Sequence, residues 1–240
     1  MRFISIVAII ALGISFFVGM KSASPDMRDT ANDYFSENNL MDLQVNSTIG
    51  FTKKEIKTIS AVDGVKAAEG VKYADTLVFS GENGIVNASN GAAMACRVMS
   101  MDFEKAKKFT ETGEADDRYF NRVTLIDGRY PEKKNECLVD YKASEAYNEL
   151  KLNSVITISG DGVTLDDTFN TVDYKIVGIV SSPMYVSFER GITNIASGTL
   201  GMYLYVSSDC FVEKNFTSVY VTVDKDDYDA YSAKYSAKLE

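Results

Sequence analysis

The strongest pattern in the chain is its first: from Phe3 to Met20 no position is charged, and only Ser5, Gly13, Ser15 and Gly19 interrupt the apolar side chains. As an α-helix rising about 1.5 Å per residue, this run spans roughly 27 Å, close to the hydrocarbon thickness of a bilayer. Arg2 and Lys21 flank it and would sit at the two interfaces. Residues 1–24 are therefore expected to form a transmembrane helix, with residues 3–20 against lipid. The competing reading is a cleaved signal peptide, with Arg2 as its basic start and Ser22-Ala23-Ser24 as a small-residue cleavage site. Against it, the run exceeds the usual apolar core of roughly 7 to 15 residues, and cleavage would be followed by Pro25. Both readings place the rest of the chain outside the cytoplasm. No cysteine lies near the segment, which argues against a lipid anchor.

After Pro25 the pattern becomes amphipathic. Met27, Ala31 and Tyr34 recur at helical spacing, so a short helix starting at Ser24-Pro25-Asp26 is expected to continue outward. Met41, Leu43 and Val45 then alternate with polar residues, as in a half-buried strand. Thr52-Lys53-Lys54-Glu55 has the form of a capping box, opening a helix that carries Ile56, Ile59 and Val62 on one face and ends at Asp63-Gly64. Val71 to Phe79 is rich in strand formers, Asn83-Gly84 signals a hairpin before Ile85-Val86, and Ala92 to Met101 is another strand-like run.

Phe103 to Arg122 is mostly polar, and Gly113-Glu114-Ala115-Asp116-Asp117 marks a loop where one subdomain gives way to another. The second region reads as short strands at Val123 to Ile126, Cys137 to Val139, Val155 to Ser159, Tyr174 to Val180 and Met202 to Val206. A turn at Asp127 to Pro131, a helix around Ala143 to Leu150, the Gly160-Asp161-Gly162 turn and a loop punctuated by Gly191, Gly198 and Gly201 separate them. At the end, Val219, Val221 and Val223 alternate as a strand, and Asp226-Asp227 caps a helix with Tyr228, Tyr231, Tyr235 and Leu239 at core-facing spacing.

Strand-helix units thus bracket the insert. The simplest way to bury both helices is one sheet face, built from residues of about 40 to 101 and 216 to 240. The expected fold is α+β: residues 25–103 as the first part of a porter-like subdomain, 104–214 as a small β-rich insert, and 215–240 as the second part. Ile56, Ile59, Val62, Val221, Tyr231 and Tyr235 would form the core of the bracketing sheet.

Composition narrows the chemistry. The 34 acidic residues outnumber 25 basic ones for a net charge of -9, which disfavours nucleic acid and anionic lipid surfaces. With no histidine, a Ser-His-Asp triad, a Cys-His pair and His-bearing metal sites are excluded within the chain. No GxxxxGK[ST] or GxGxxG run follows a strand, so no nucleotide phosphate would be cradled here. Cys96, Cys137 and Cys210 lie too far apart for CxxC chemistry and read as buried small hydrophobes, with a Cys137–Cys210 disulfide as the alternative.

Asp161, Asp166, Asp167 and Asp173 lack the ligand spacing of a calcium loop and read as a solvated hairpin. Asn46, Asn87 and Asn215 open N-x-[ST] sequons that carry no functional weight by themselves. No spacing among the many acids favours a pair of catalytic carboxylates. No catalytic, cofactor-binding or metal-binding residue is therefore singled out, and no cofactor or enzymatic activity is expected.

Four segments together resemble the FtsX/MacB-type ABC transporter permeases: FISIVAIIALGISFFVGMKSASPDMRDTANDYF, LMDLQVNSTIGFTKKEIKTISAVDGV, GRYPEKKNECLVD, and YKIVGIVSSPMY with the glycine loop that follows. Their order and spacing along the whole chain carry the resemblance more than any one motif. It implies a ferredoxin-like porter part interrupted by a β-rich insert, beginning at the first membrane helix. It also implies a non-catalytic domain moved by a separate cytoplasmic ATPase, to export a substrate or to signal mechanically outside the membrane. A second permease copy or a second outer domain would complete the assembly. No second apolar span precedes Glu240, so a portion of a longer permease is expected. The alternative is a signal-anchored or secreted binding or sensor module without a transport partner.

Overall fold

A computed structural model of the chain describes residues 2–80, 83–85, 93–114, 116–161, 165–187, 189–224 and 232–239. It divides into two units, residues 1–37 with 225–240 and residues 38–224. The fold is α+β, as expected, with a long apolar helix ahead of a sheet-rich region.

The first unit contains helix α1, Arg2–Glu37, with Pro25 inside it. Two helices joined near Ser24 were expected, but the chain forms one. Proline costs a helix its own N–H bond to the carbonyl four residues back. The turns on either side remain helical, and Thr30 Oγ1 donates to the Asp26 carbonyl at 2.8 Å. At about 1.5 Å per residue the helix is roughly 54 Å long, well beyond the ~30 Å apolar layer of a bilayer. A short helix, α5 (Ala233–Leu239), closes the chain. Tyr235 on it is half-buried, while Tyr228 and Tyr231 of the expected stripe, and the Asp226-Asp227 cap, lie outside the described residues.

The second unit begins with a three-stranded antiparallel sheet. Its strands are β1 (Leu43–Phe51), β2 (Val65–Val71) and β11 (Phe216–Val223), in the order β1-β11-β2. Helix α2 (Lys53–Ser60) joins β1 to β2, which makes these two strands parallel and leaves a central slot that β11 fills. The capping box is formed: Thr52 Oγ1 accepts from the Glu55 amide, and the Glu55 carboxylate accepts from the Thr52 amide at 2.7 Å. Ile56 and Ile59 pack on Ala68, Val219 and Val221. Val62, expected on the same face, lies past the helix end and is 55% exposed. Gly70 is required beneath α2, because a Cβ there would lie 2.5 Å from the Ile56 side chain and from the Phe216 ring.

At Lys72 the chain leaves this sheet. The remaining strands are β3 (Tyr73–Ser80), β4 (Asn83–Gly84), β5 (Ala95–Met101), β6 (Thr124–Gly128), β7 (Glu136–Asp140), β8 (Val155–Ser159), β9 (Asp173–Ser181) and β10 (Leu200–Ser207). They form an eight-stranded sheet. Following the pairings, β3 leads through β5, β10, β7 and β9 to β8, which pairs back to β3, so six strands close on themselves. Closure removes free edges and gives alternate side chains a common interior. Val78, Cys96, Val98, Cys137, Val139, Ile156, Ile158, Tyr174, Ile176, Met202, Leu204 and Val206 fill that interior and belong to one buried cluster.

The change of sheet thus falls between Val71 and Tyr73, and again before Phe216, whereas the sequence pattern placed the first change after Met101. The pattern offered one strand-forming stretch, Val71 to Phe79, and did not separate from it the strand Val65–Val71; periodicity alone does not reveal which sheet a strand joins. The eight-stranded sheet is the larger of the two. The polar stretch after Met101 also differs from expectation: Phe103–Thr112 is helix α3, with Asp102 accepting from the Glu104 and Lys105 amides and Gly113 closing it at φ 70°. Asn83 and Gly84, expected at a reversal, are instead paired as strand β4 with Ser80 and Phe79.

Tyr119, Val123, Tyr130 and Ala106 of α3 cover the outer face of the barrel at Met99, Leu138, Val180, Tyr203 and Tyr205. Helix α4 (Tyr141–Ala146) follows β7 directly. Asp140, at the end of β7, binds Arg190 in bidentate fashion at 2.6 and 3.0 Å, with both side chains buried. Arg190 also donates to the carbonyls of Tyr185 and Ser187, which ties the glycine-punctuated loop to the barrel. Arg97, paired with Asp75 at 2.8 and 2.9 Å, reaches the Ile192 carbonyl of the same loop.

Two outcomes are expected. Arg190→Met should strand the Asp140 carboxylate and lower unfolding stability by about 3 to 5 kcal/mol in urea denaturation. A loss under 1 kcal/mol would mean that Asp140 finds another partner or a proton. Residues 73–212 expressed alone should unfold cooperatively by circular dichroism, since both large clusters lie within them. A broad, non-cooperative transition would show that the barrel depends on the small sheet.

Candidate functional site

The segment GRYPEKKNECLVD, read in sequence as a turn, is a tight staple. Arg129 grips Glu136 through two bonds at 2.7 and 2.8 Å, and the same carboxylate accepts from the amides of Glu132 and Lys133. The Arg129 guanidinium beside it and these amides hold the Glu136 carboxyl down to about 2. Gly128 stands at φ 82°, where a Cβ would lie 2.3 Å from the Val177 carbonyl, so glycine is required there. This motif shapes the outer wall of the barrel and offers no free nucleophile.

The acids considered in sequence are also occupied or dispersed. Asp173 accepts from Thr157 Oγ1 at 2.6 Å and Asp161 from the Ala196 amide at 3.0 Å, while Asp166 and Asp167 are exposed. Among the described residues no group of three or more acids and cysteines converges as a metal site would. The three thiols are free and buried, and burial pushes those of Cys96, Cys137 and Cys210 up. Cys210 Sγ donates to the Lys134 carbonyl at 3.1 Å. Asn46 is on β1 opposite Ser218, and Asn87 lies outside the described residues.

What the structure does assemble is a hydrogen-bonded joint at residues 38–42. Asn39 adopts a left-handed φ of 45° just after α1. Its Nδ2 donates to the carbonyls of Asp117 at 2.9 Å and Tyr119 at 3.0 Å, and its own carbonyl accepts from the Asn121 amide at 3.0 Å. The Asn38 carbonyl accepts from the Arg122 amide at 2.8 Å. Asn121, also left-handed at φ 49°, returns the contact through Oδ1, which accepts from the Met41 amide at 3.0 Å. One residue on, the Asp42 amide donates to the Val221 carbonyl and Asp42 Oδ2 accepts from the Val223 amide, both at 2.9 Å. Four of these five residues, Asn38, Asn39, Met41 and Asp42, therefore fasten the segment to the loop over the barrel and to the central strand of the small sheet together.

Two more joints link the sheets. Lys72 exchanges bonds with Ser100, its amide donating to Ser100 Oγ at 2.9 Å and its carbonyl accepting from the Ser100 amide at 2.8 Å. Thr217 Oγ1 accepts from the Tyr73 amide at 3.2 Å. Burial of the Lys72 side chain, 8% exposed as a residue, pushes its ammonium below the usual lysine value, and Nζ donates to the Ser208 carbonyl at 3.4 Å. Sequence reading missed this site because its members are asparagines and a lysine in unremarkable surroundings. One signal was present: Asn38-Asn39 directly after a helical pattern is the composition of a left-handed helix exit.

With this geometry in hand, comparison with known families is informative. The model of the MacB-like periplasmic core domain matches residues 3–236. The chain belongs to this family. Similar solved structures include the periplasmic region of MacB from Actinobacillus actinomycetemcomitans, 12% identical, covering 81% of this chain and 72% of that one, with a TM-score of 0.38. Another is the extracellular domain of the noncanonic ABC-type transporter YknZ from Gram-positive bacteria, also 12% identical, covering 80% of both chains with a TM-score of 0.40. No curated protein matches. The MacB-like chain is thus of the ABC transporter permease type, with an extracytoplasmic core domain anchored by its N-terminal apolar helix. The family is one of transporter permease domains rather than of known enzymes.

The staple makes a pH prediction. An unfolded glutamate titrates near 4.5 and folded Glu136 near 2, so its contribution to stability is complete above about 4.5 and disappears as pH falls through about 2. Glu136→Gln should lie below the parent in stability at neutral pH, and the gap should close between these two values in denaturation series. A gap that is constant with pH would assign the loss to packing rather than to ionisation.

Proposed function

We propose that this MacB-like domain transmits motion: a separate cytoplasmic ABC ATPase drives the membrane part of the permease, and the outer domain carries the displacement to export or to mechanical signalling. The observation that supports the reading best is the joint at residues 38–42, where the chain leaving α1 is bolted to both sheets at once. A displacement arriving at Asn38 is shared between the barrel and the small sheet instead of being absorbed by a flexible linker. The helix supports it too, running unbroken from the apolar run through Glu37. ATP can shift such an equilibrium only by binding its states differently, and that binding belongs to the ATPase.

In this reading the chain performs no catalysis itself. The apolar run over 3–20 contacts lipid, the outer part starts near residue 24, and a second permease copy or outer domain supplies the surface against which the domain moves. The small sheet is the porter-like part and the barrel its insert.

The test is hydrogen–deuterium exchange on the full-length chain purified from its native membranes. The chain should bring an ABC ATPase with it, and exchange at residues 38–42 and 116–123 should change on adding Mg-ATP. A flexible Gly-Ser insertion between Glu37 and Asn38 should abolish that change while ATP hydrolysis continues. Purification without any ATPase, or exchange at the joint that ATP leaves unmoved, would favour a membrane-anchored sensor with no transport partner.

A further inference from the structure

The small sheet and the barrel flank a cleft of about 620 Å³. That volume lies within the range of roughly 300 to 1,000 Å³ typical of small-molecule sites. Its apolar wall is made by Met99, Met101, Met184, Phe120, Tyr205 and Tyr220, drawn from both bodies. Methionines are unbranched and polarisable, so such a wall re-packs around a guest at little cost. Four lysines and five carboxylates share the lining, so the site presents nearly balanced charge and favours no ion of either sign.

One polar group in the lining is unfinished. Asn121, 3% exposed, has its Oδ1 engaged by the Met41 amide. That bond fixes which way the side-chain amide faces, because only the oxygen can accept. Nδ2 is therefore the atom left over, shut away from water and with no acceptor. A buried donor without a partner is costly, and the cost is relieved when an acceptor is brought to it. The Tyr220 hydroxyl nearby has only the Met184 thioether as acceptor, at 3.8 Å.

We propose that the cleft is a binding site for an uncharged, amide-bearing apolar ligand about the size of a capped dipeptide. Its side chain enters between the methionines and the aromatic rings, and the cleft widens enough for an amide carbonyl to accept from Asn121 Nδ2. An amide suits the lining better than a simple ketone, because its N–H meets the carboxylates at the mouth. A carboxylate ligand gains nothing from a lining in which lysines and acids nearly balance. The site stands whether or not the domain transmits motion.

The experiment uses the full chain in lipid nanodiscs, labelled with ¹³C at the methionine methyls, and N-acetyl-phenylalanine amide as the probe. The methyls of Met99, Met101 and Met184 should shift and saturate, while those of Met20 and Met27 on α1 should not move. Asn121→Asp keeps the acceptor for the Met41 amide and tolerates the left-handed backbone but lacks the donor, and it should weaken binding by about five- to tenfold. If that variant fails to fold, Met184→Lys, at a half-buried position in the wall, should abolish the saturable shifts. Shifts confined to Met20 and Met27, shifts that do not saturate, or undiminished affinity in a folded Asn121→Asp or Met184→Lys variant would overturn the proposal.

Discussion

The closed barrel depends on β8, whose Thr157 is paired on both sides, with Phe79 of β3 and with Asp173 of β9. This one strand closes the path and turns an open sheet into a barrel. Without it the sheet would stay open, ending at β4 and β6, and the interior cluster from Val78 to Val206 would be a half-covered face. Because the wall is closed, its inner residues need only be apolar and of suitable size, which accounts for the three buried cysteines as small apolar side chains. The Thr157 hydroxyl donates to the Asp173 carboxylate and so reinforces the pairing at the closure itself.

A closed barrel also makes the polar contacts on its outside matter mechanically. The Glu136 staple, the buried Asp140–Arg190 pair and the Arg97–Asp75 pair all hold loops against a wall that does not yield. The buried pair is weak evidence for stability as such, since desolvation offsets much of its attraction, but removing one partner is severe. Its visible effect is to fix the path of the loop after β9. The bonds of residues 38–42 reach a loop that is itself anchored, because Tyr119 and Val123 are packed on that wall.

Local features of the fold were legible in the sequence where a single interaction decides them. The Thr52–Glu55 capping box, the core valines of β11 and the apolar run of α1 each depend on residue types within a few positions of one another. The resemblance carried by GRYPEKKNECLVD was legible as a family mark, although its physical content, a carboxylate held by a guanidinium and two amides, was not. Three readings differed for stated causes. Pro25 did not end α1, because proline removes one bond and leaves the neighbouring turns intact. Helix α3 was hidden because Phe103, Ala106 and Phe109 are its main apolar residues, enough for a surface helix on a barrel. The sheet change at Lys72 was invisible because alternation reports which side of a strand is buried and not which strand lies beside it.

Asn121 draws these strands of argument together, since its two side-chain atoms face different tasks. Its Oδ1 accepts from the Met41 amide in the joint below α1, and its Nδ2 is the unpaired donor in the lining of the cleft. The two atoms belong to one planar amide, so a ligand that orients Nδ2 also fixes the acceptor that holds Met41, and loosening Met41 frees the amide to turn. Coupling of this kind is reciprocal: whatever factor a ligand applies to the equilibrium of the joint, movement of the joint applies to the affinity of the ligand. Asn121 is therefore the residue through which occupancy of the proposed site would be felt at Met41.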